Sequence, residues 1–476
     1  MSKYLATIGL EVHAELSTET KMFCRSKNDP DEKRPNVNVC PVCVGHPGTL
    51  PVINKKAVEY VLKFGLAVHG ELADFTEFDR KNYFYPDIPK GYQISQYKYP
   101  LVKGGELSGV RLTRVHLEED TGTSIHDRGD YGLVDYNRAG VPLMELVTEP
   151  VITSAVEAGV FARELQLLLR YLKISEANME KGEMRVEANI SVRPEGQSEF
   201  GTKVEVKNLN SFRSVERSIE FEIERQIELL ESGKEVVQET RGFDENKQVT
   251  FSQRKKESAH DYRYFPDPDL PKLKISEIPE FSEDVLRKSI PELPVEKRER
   301  YKKDFGLDGS KIEMFISNQN FADLLELSAK HLDGNEIKIA VNYITSDVAG
   351  LAKDGTNTNP SGFAFSPKQF ATLISMYSSN KISSRGVKDI LAVMYKDGGE
   401  PEKIAEDKGL IQQNDEGAII AVVSEVLKEN ESVVNEYKEG KESSLKFLIG
   451  QGMKKSKGSA NPSLLQELLI KEISKR

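Results

Sequence analysis

The sequence predicts an α+β fold, with a sheet-containing first part followed by a helical second part. Short runs of alternating polar and apolar residues, interrupted by Gly, Pro and Asn, dominate up to about residue 290. Apolar residues at helical spacing dominate from there onwards. Prolines at positions 291 and 294 disfavour helix and mark the change. A chain of 476 residues is long enough for three domains, which we expect at 1–290, 291–404 and 405–476.

The composition limits the possible classes of protein. Hydrophobic residues make up 38% and charged residues 30%, which is typical of a water-soluble globular chain. No apolar run is long enough to span a membrane, and we expect no signal or transit peptide. The net charge of −10 excludes a generic basic nucleic-acid binder at the level of the whole chain. The three Cys argue against a disulfide framework and indicate a reducing compartment, so we expect a cytoplasmic protein.

Three helix starts are visible in the sequence. Ser154 and Glu157 have the spacing of a capping box. Ser366 and Asn461 each precede a proline and an apolar-periodic segment, so each is predicted to cap a helix. The apolar residues that follow Ser154 at helical spacing are Val156, Val160, Phe161, Leu165, Leu168, Leu169 and Leu172.

The end of the chain is basic although the whole chain is acidic. Residues 441–476 contain eight Lys or Arg and three Asp or Glu, a net charge of +5. A basic helical tail on an acidic body indicates an anionic partner. The alternative is a solvated helical face without a binding role.

Residues 8–16 carry the most informative pattern. A strand with this alternation places Ile8, Leu10, Val12, Ala14 and Leu16 on one side and Gly9, Glu11, His13 and Glu15 on the other. A row of carboxylate and imidazole groups can hold a divalent cation between neighbouring strands, and oxygen ligands suit Mg²⁺. The alternative is a sheet face that simply meets water.

The same pattern recurs in three further segments. Residues 185–192 and 203–207 read as a hairpin, and residues 114–120 form another row of charged residues. The polar faces of the hairpin carry Arg185, Glu187, Asn189 and Ser191 on the first strand and Lys203, Glu205 and Lys207 on the second. The charged row at residues 114–120 contains His116, Glu118 and Glu119. Carboxylates beside cations fit a site for metal and nucleotide, in which the cations hold phosphate oxygens.

Aromatic residues stand beside cations in residues 79–87 and 90–96, and residues 261–267 are similarly aromatic. Such segments can grip phosphate and stack on a base or ribose, or they can be Tyr-rich surface loops. Cys24, Cys40 and Cys43 indicate a zinc site with His46 as a possible fourth ligand, or three ordinary thiols. The sequence lacks a P-loop, a dinucleotide-binding glycine motif and an acyl-transfer nucleophile.

These segments resemble the family of B subunits of the aspartyl/glutamyl-tRNA amidotransferases, the GatB family. The motifs that carry the resemblance lie at residues 8–13, 79–87, 90–96, 135–145, 207–212, 447–453 and 457–462. The resemblance implies a cradle with an antiparallel sheet similar to that of glutamine synthetase. It further implies an all-helical domain and a YqeY-like tail that binds tRNA.

The resemblance also implies an activity, that of a ligase with glutamine as amido donor. The B subunit would use ATP and Mg²⁺ to phosphorylate the side-chain carboxylate of Glu-tRNA(Gln) or Asp-tRNA(Asn). Ammonia from a glutaminase A subunit would then displace phosphate, and a small C subunit would complete the heterotrimer. Two alternatives stand beside this one: a non-catalytic tRNA-binding scaffold, and a free-standing carboxylate–amine ligase for a small molecule.

The family's motifs assign roles to positions of this sequence. The catalytic candidates are Glu11, His13, Glu118, Glu119, Glu205 and Lys81. The candidates for holding Mg²⁺ are Glu11, His13, Glu119 and Glu205, and those for zinc are Cys24, Cys40 and Cys43. The candidates for binding substrate or ATP are Arg80, Tyr83, Tyr85, Lys207, Glu187 and Asn208. Two positions depart from the family's pattern. Ser26 stands where many family members have a cysteine, and Glu187 stands where they often have an aspartate.

Overall fold

The structure, a computed structural model, describes residues 3–126, 129–255, 262–353, 362–412, 416–456 and 460–475. The chain divides into two units, residues 1–294 and 295–476. The division falls at the prolines where the sequence predicts a change from mixed strands and helices to helices alone. The further boundary at residues 404 and 405 stays a prediction.

The first unit contains all the strands of the described residues. They are β1 (Tyr4–Glu15), β2 (Glu71–Leu72), β3 (Phe75–Thr76), β4 (Asp79–Asn82), β5 (Tyr92–Ser95), β6 (Val102–Lys103), β7 (Glu106–Leu107), β8 (Val110–Glu119), β9 (Thr123–Ile125), β10 (Leu133–Asp135), β11 (Pro142–Thr148), β12 (Met184–Pro194), β13 (Val204–Leu209), β14 (Glu239–Asp244), β15 (Val249–Lys255), β16 (Phe265–Pro266) and β17 (Leu273–Lys274). Its helices are α1 (Lys55–Ala67), α2 (Ala155–Tyr171), α3 (Phe212–Glu231) and α4 (Glu283–Lys288).

Ten strands of the described residues form one large sheet. Their order is β15-β14-β13-β12-β1-β11-β8-β6-β2, and β7 also pairs with β8. Neighbouring strands run antiparallel except β13 and β14, which are parallel, so the antiparallel sheet that the resemblance implies is interrupted at this one place. The predicted hairpin of β12 and β13 is confirmed. Helix α3 connects these two strands, as a parallel crossover requires.

The large sheet has an apolar face and a polar face, as the alternation in residues 8–16 predicts. Ile8, Leu10, Val12 and Ala14 of β1 are fully buried in one hydrophobic core with residues of α1, α2 and α3. Helix α3 packs against β12 and α1 packs against β8. The opposite face therefore carries the polar residues of β1 and its neighbours. A small sheet of order β16-β4-β5 approaches that face, with β5 contacting β8.

Helix α2 begins where the sequence predicts, but its details differ. Ser154 Oγ accepts the N–H of Glu157 at 3.2 Å, whereas the Glu157 carboxylate accepts the N–H of Thr153 at 2.9 Å instead of that of Ser154. Val156 and Val160 are 68% and 49% exposed, so the prediction that they join the apolar stripe is wrong. They lie four residues apart on the flank of the helix, outside the stripe that faces α3 and the sheet.

The second unit is helical. Its helices are α5 (Pro294–Phe305), α6 (Gly309–Ser317), α7 (Gln319–Ala329), α8 (Gly334–Tyr343), α9 (Ala349–Lys353), α10 (Pro367–Ser378), α11 (Ser384–Asp397), α12 (Pro401–Asp407), α13 (Glu416–Glu429), α14 (Glu431–Lys438), α15 (Glu442–Lys455) and α16 (Pro462–Ser474). The predicted caps are confirmed, since Ser366 caps α10 with a capping box and Asn461 caps α16. Part of the tail motif at residues 457–462 lies outside the described residues.

The last four helices share a hydrophobic cluster that runs from Ile419 to Ile473. Helix α13 packs against α15 and α16, and α14 packs against α15. None of the helices in the described residues combines the length and the apolar character needed to cross a membrane.

Candidate active site

The polar face of the large sheet gathers charged residues from adjacent strands. His13 of β1 lies opposite Arg185 of β12 and opposite Glu145 of β11. Glu145 in turn lies opposite His116 of β8. Directly paired residues of an antiparallel sheet point to the same side. The four side chains therefore form one row across four strands.

Glu145 is the centre of this row and is only 6% exposed. Its Oε2 atom lies 3.4 Å from Nε2 of His13 and 3.3 Å from Nε2 of His116. Its Oε1 atom lies 3.6 Å from Nη2 of Arg114. Glu11, two residues before His13 on β1, places Oε1 3.9 Å from Nε2 of His13. One buried carboxylate thus connects two imidazoles, and a second carboxylate stands beside them.

Burial and mutual charge set the protonation of this cluster. Burial alone would raise the pKa of Glu145, but His116 and His13 hold that pKa well below its usual range. Burial opposes protonation of His13, yet the hydrogen bond and charge of Glu145 raise the pKa of His13 to about 9. The pKa of Glu11 is raised by burial and by the charges of Glu145 and Glu187. Without a further cation, the cluster therefore holds a protonated imidazole against a buried carboxylate.

The residues present fit a divalent cation. Two overlapping groups bring three donor atoms each to within 4.8 Å of one another, namely Glu11, His13 and Glu145, and His116, Glu118 and Glu145. Within the described residues, the buried Oε2 atom of Glu118 and the buried Nδ1 atom of His116 have no hydrogen-bond partner. A buried polar atom left without a partner is costly unless something fills the place. A metal ion bound by these donors would suit the spacing of the donor atoms and would balance the negative charge of the carboxylates.

Lys81 stands at the edge of the cluster. Its Nζ atom lies 3.6 Å from Oε2 of Glu118, and Gln93 Nε2 donates to Oε1 of the same carboxylate at 2.5 Å. Burial would lower the pKa of Lys81, but the charge of Glu118 outweighs it and raises that pKa. Lys81 is therefore an ammonium ion at neutral pH, placed beside the candidate metal donors.

A second group of charges lies on β12 and β13 of the same face. Lys207 Nζ contacts the carboxylate of Glu187 at 2.6 Å and that of Glu205 at 3.5 Å. Glu187 lies opposite Glu11 across β1 and β12. Glu205 lies opposite Asn189 and accepts a hydrogen bond from the Thr240 hydroxyl at 2.8 Å. Glu205 therefore shares the face with Glu11 and His13, but it contacts Lys207 instead of entering either group of metal donors.

Two predicted residues lie elsewhere. Glu119 follows Glu118 along β8, so its side chain turns the other way. There it pairs with Lys90 and accepts the N–H of Ile94 at 2.9 Å, and it joins neither group of donors in the described part of the chain. Arg80 precedes Lys81 on β4 and likewise turns away, with Asp267 as an ion-pair partner at 2.8 Å.

The remaining predicted binding residues are at the rim. Tyr83 and Tyr85 stack on each other, with ring centroids 5.9 Å apart and an interplanar angle of 20°. Asn208 is exposed and has a φ of 61°, in the left-handed region. It sits where the pairing of β12 and β13 shifts register, as a bulge does.

Comparison with known proteins gives the context of this site. Residues 6–279 match the family model of the GatB/GatE catalytic domain, and residues 323–473 match that of the GatB domain. The chain belongs to the GatB/GatE family. The charged residues described above on the polar face of the large sheet all lie within the part that matches the catalytic domain.

Curated relatives of this family match the chain along nearly its full length. A protein of Persephonella marina is 46% identical, covering 97% of this chain and 98% of its own length. Proteins of Caldanaerobacter subterraneus subsp. tengcongensis and Thermodesulfovibrio yellowstonii are each 45% identical, covering 99% and 98% of this chain and 100% and 99% of their own lengths. Each of the three is named as the B subunit of an aspartyl/glutamyl-tRNA(Asn/Gln) amidotransferase.

The three cysteines come together in this family member. The sulfur atoms of Cys24, Cys40 and Cys43 lie within 4.8 Å of one another, and His46 is not part of the group in the described residues. Ser26 Oγ lies 3.8 Å from Cys43 Sγ, and the buried Lys21 Nζ lies 3.9 Å from the same sulfur. A structural zinc site takes four ligands, commonly Cys or His. The three thiols beside a buried ammonium do not complete such a site.

Glu145 and His116 are the site residues that sequence reasoning left without a role. Glu145 is the only charged residue of β11, and the rest of that strand is apolar apart from its terminal Thr148. A lone carboxylate within a buried strand is a signal for a paired charge. Its partners become clear only from the pairing of β11 with β1 and β8.

Proposed function

We propose that this chain activates the side-chain carboxylate of Glu-tRNA(Gln), Asp-tRNA(Asn) or both with ATP, so that ammonia can convert it to the amide. The carboxylate oxygen would attack the γ-phosphorus of ATP, giving an acyl phosphate and ADP. Ammonia would then attack the acyl carbon, and inorganic phosphate would leave with the oxygen that had joined them. The names of the relatives and the family's catalytic domain support this proposal.

The single observation that carries the proposal is the buried cluster around Glu145, in which one polar atom each of Glu118 and His116 has no hydrogen-bond partner. Mg²⁺ held there would neutralise the negative charge that develops as the phosphoryl group moves. The donors for it would be Glu11, His13 and Glu145, or His116, Glu118 and Glu145, since each of these two groups brings three donor atoms together.

The chain's own cations do the positioning. Lys81 and Lys207 both remain ammonium ions, because nearby carboxylates raise the pKa of each despite burial. They stand on opposite sides of the donor cluster, beside Glu118 and beside Glu187. Phosphoryl transfer asks a protein for little covalent chemistry, and most of the effect comes from cations that align attacker and leaving group. Lys81 and Lys207 would bind the phosphate oxygens of ATP.

The remaining parts of the proposal concern assembly. Ammonia would come from a separate glutaminase A subunit, and a small C subunit would join the two. The first unit would be the cradle with a sheet similar to that of glutamine synthetase, and the last helices would be a YqeY-like tail that contacts tRNA phosphates. The cysteines of the described chain are free thiols, which suits the reducing cytoplasm.

The test is amidation by the purified complex given Glu-tRNA(Gln), ATP and ammonium chloride, which bypasses the glutaminase. We expect Glu11→Ala to abolish amidation while tRNA binding persists. The change removes a candidate metal donor and leaves the last helices, which would contact the tRNA, unaltered. The matched control is Glu19→Ala, at an exposed position of the same segment. Full amidation by the Glu11→Ala complex would show that Glu11 is not part of the active site. A wild-type complex that binds tRNA without ATP-dependent amidation would instead indicate a scaffold.

A further inference from the structure

Three cysteines from two separate stretches of the chain come together beside a buried lysine. The sulfur atoms of Cys24, Cys40 and Cys43 lie within 4.8 Å of one another, and all three are free thiols. Cys43 is only 5% exposed, and the other two are half-buried. Lys21 is fully buried at their side. We call these four residues the thiol–lysine cluster.

The amino group of the buried Lys21 contacts a sulfur atom and a carbonyl. Its Nζ atom lies 3.9 Å from Cys43 Sγ and donates to the carbonyl of Tyr136 at 3.0 Å. Burial lowers the pKa of Lys21, and the group that opposes this most strongly is Cys43. A charged group taken out of water is costly unless it has a partner of opposite charge. The sulfur of Cys43 is therefore the anionic partner of Lys21.

The sulfur of Cys43 is also surrounded by hydrogen-bond donors. The backbone N–H of Cys40 donates to it at 3.1 Å, and the hydroxyl oxygen of Ser26 lies 3.8 Å away. The thiol of Cys24 donates to the same sulfur. Hydrogen-bond donors and a nearby cation favour the thiolate over the thiol, and the thiolate is the form that reacts. Cys43 is therefore the nucleophilic sulfur, and Cys24 is the thiol in contact with it.

The same surroundings weigh against a zinc ion among these thiols. A structural zinc site takes four ligands, and Ser26 presents a hydroxyl where many family members have a cysteine. The Lys21 amino group already lies beside Cys43 Sγ. A second cation bound to the same sulfur would be repelled by the ammonium group. The thiol–lysine cluster therefore takes its positive charge from the chain itself.

We propose that Cys43 and Cys24 form a reversible oxidation site for hydrogen peroxide and other hydroperoxides. The Cys43 thiolate attacks one oxygen of the peroxide, the O–O bond breaks and hydroxide leaves, which gives a sulfenic acid on Cys43. The Cys24 thiol then attacks that sulfur, the S–O bond breaks and water leaves, which gives a disulfide. Two electrons pass from the two sulfurs to the peroxide, and an external dithiol reverses the step by thiol–disulfide exchange.

The oxidation would also change the charge balance around Lys21. A disulfide carries no negative charge, so the ammonium group would keep the carbonyl of Tyr136 as its hydrogen-bond acceptor and lose its anionic partner. The neighbouring N–H of Met22 donates to the carbonyl of Gly140 at 2.7 Å, and β11 begins two residues later. The oxidation state of the thiol–lysine cluster would therefore act on the turn that leads into β11.

The test treats the full chain with hydrogen peroxide and then alkylates the remaining thiols with iodoacetamide. The chain has three cysteines, so its intact mass should show three alkyl groups before oxidation and one afterwards. Peptide mapping without reductant should find Cys24 joined to Cys43, and dithiothreitol should restore all three thiols. Cys40→Ser is the matched control and should still form the disulfide. Cys24→Ser should instead leave a sulfenic acid on Cys43, which dimedone traps.

The rate of oxidation tests the part that Lys21 plays. Lys21→Met removes the positive charge and should slow the loss of the Cys43 thiol to peroxide at neutral pH by about tenfold. Lys21→Arg keeps the charge and should keep the rate near that of the wild type. An equal rate in Lys21→Met and the wild type would contradict the pairing of Lys21 with Cys43.

Three results with the wild-type chain would overturn the proposal, and none of them depends on whether a variant folds. The first is three alkylated thiols after peroxide treatment, and the second is a disulfide between Cys40 and Cys43. The third is one zinc ion per chain that persists after purification and blocks the oxidation, as elemental mass spectrometry and the same alkylation would show. Amidation is not measured, so these results leave the proposed function to its own test.

Discussion

Replacing Glu145 by Gln removes the charge on which the cluster depends while keeping the size of the side chain. The pKa of His13 is raised from 6.5 to about 9, mainly by Glu145 acting against burial. A rise of that size corresponds to about 3 kcal/mol of favourable interaction between the protonated imidazole and its surroundings. Below pH 6.5, His13 is protonated in both the folded and the unfolded chain, so the whole stabilisation is present. It declines as the pH rises from 6.5 to 9 and is absent above that.

Glu145→Gln should therefore lower the free energy of unfolding by about 3 kcal/mol at pH 6 and by much less at pH 9.5. Urea unfolding in EDTA at several pH values measures this difference. The matched control is Glu149→Gln, one residue beyond β11, where the half-buried Glu149 accepts a hydrogen bond from the Thr113 hydroxyl. Its effect should be small and independent of pH. Equal losses for Glu145→Gln at pH 6 and pH 9.5 would refute the account of His13.

Three further predictions follow from other parts of the chain. Glu118→Gln should weaken Mn²⁺ binding at least about tenfold, because it removes the charge of a candidate metal donor whose Oε2 atom has no hydrogen-bond partner. A Mn²⁺ titration followed by electron paramagnetic resonance measures the affinity, and an unchanged affinity would contradict the prediction. The pKa of Cys43 is lowered to about 5, chiefly by a hydrogen bond from Cys24 and further by the charge of Lys21. Lys21→Met should therefore raise that pKa, as thiolate absorbance against pH would report, and an unmoved curve would count against the contact. Asn461→Ala should lower the free energy of unfolding by about 1 kcal/mol, because it removes the side chain that caps α16. Thermal unfolding measures this loss, and an unchanged Tm would contradict the prediction.

The polar face of the large sheet could be predicted because side chains along a strand alternate strictly between its two sides. The alternation in residues 8–16 fixed which side chains of β1 point together, and Glu11 and His13 do share the polar face. The same reasoning placed Glu187, Glu205 and Lys207 on a common face, where Lys207 contacts both carboxylates. These are local patterns, so they need no knowledge of which strands are neighbours.

The centre of the cluster needed information that local patterns do not contain. Glu145 acquires its role from the register of β11 between β1 and β8, and register depends on long-range pairing. Adjacent residues of one strand also point apart, which is why Glu118 and Lys81 enter the cluster while Glu119 and Arg80 pair elsewhere. The motif match could not separate the members of these two pairs.

The most direct test of the central claim follows an oxygen atom. Glu-tRNA(Gln) carrying ¹⁸O in both side-chain carboxylate positions is incubated with the complex, ATP and ammonium chloride. If the carboxylate attacks the γ-phosphorus at this site, each phosphate released during amidation contains one ¹⁸O atom, and Glu118→Gln suppresses its formation. Phosphate without label, or label found in AMP, would contradict the account.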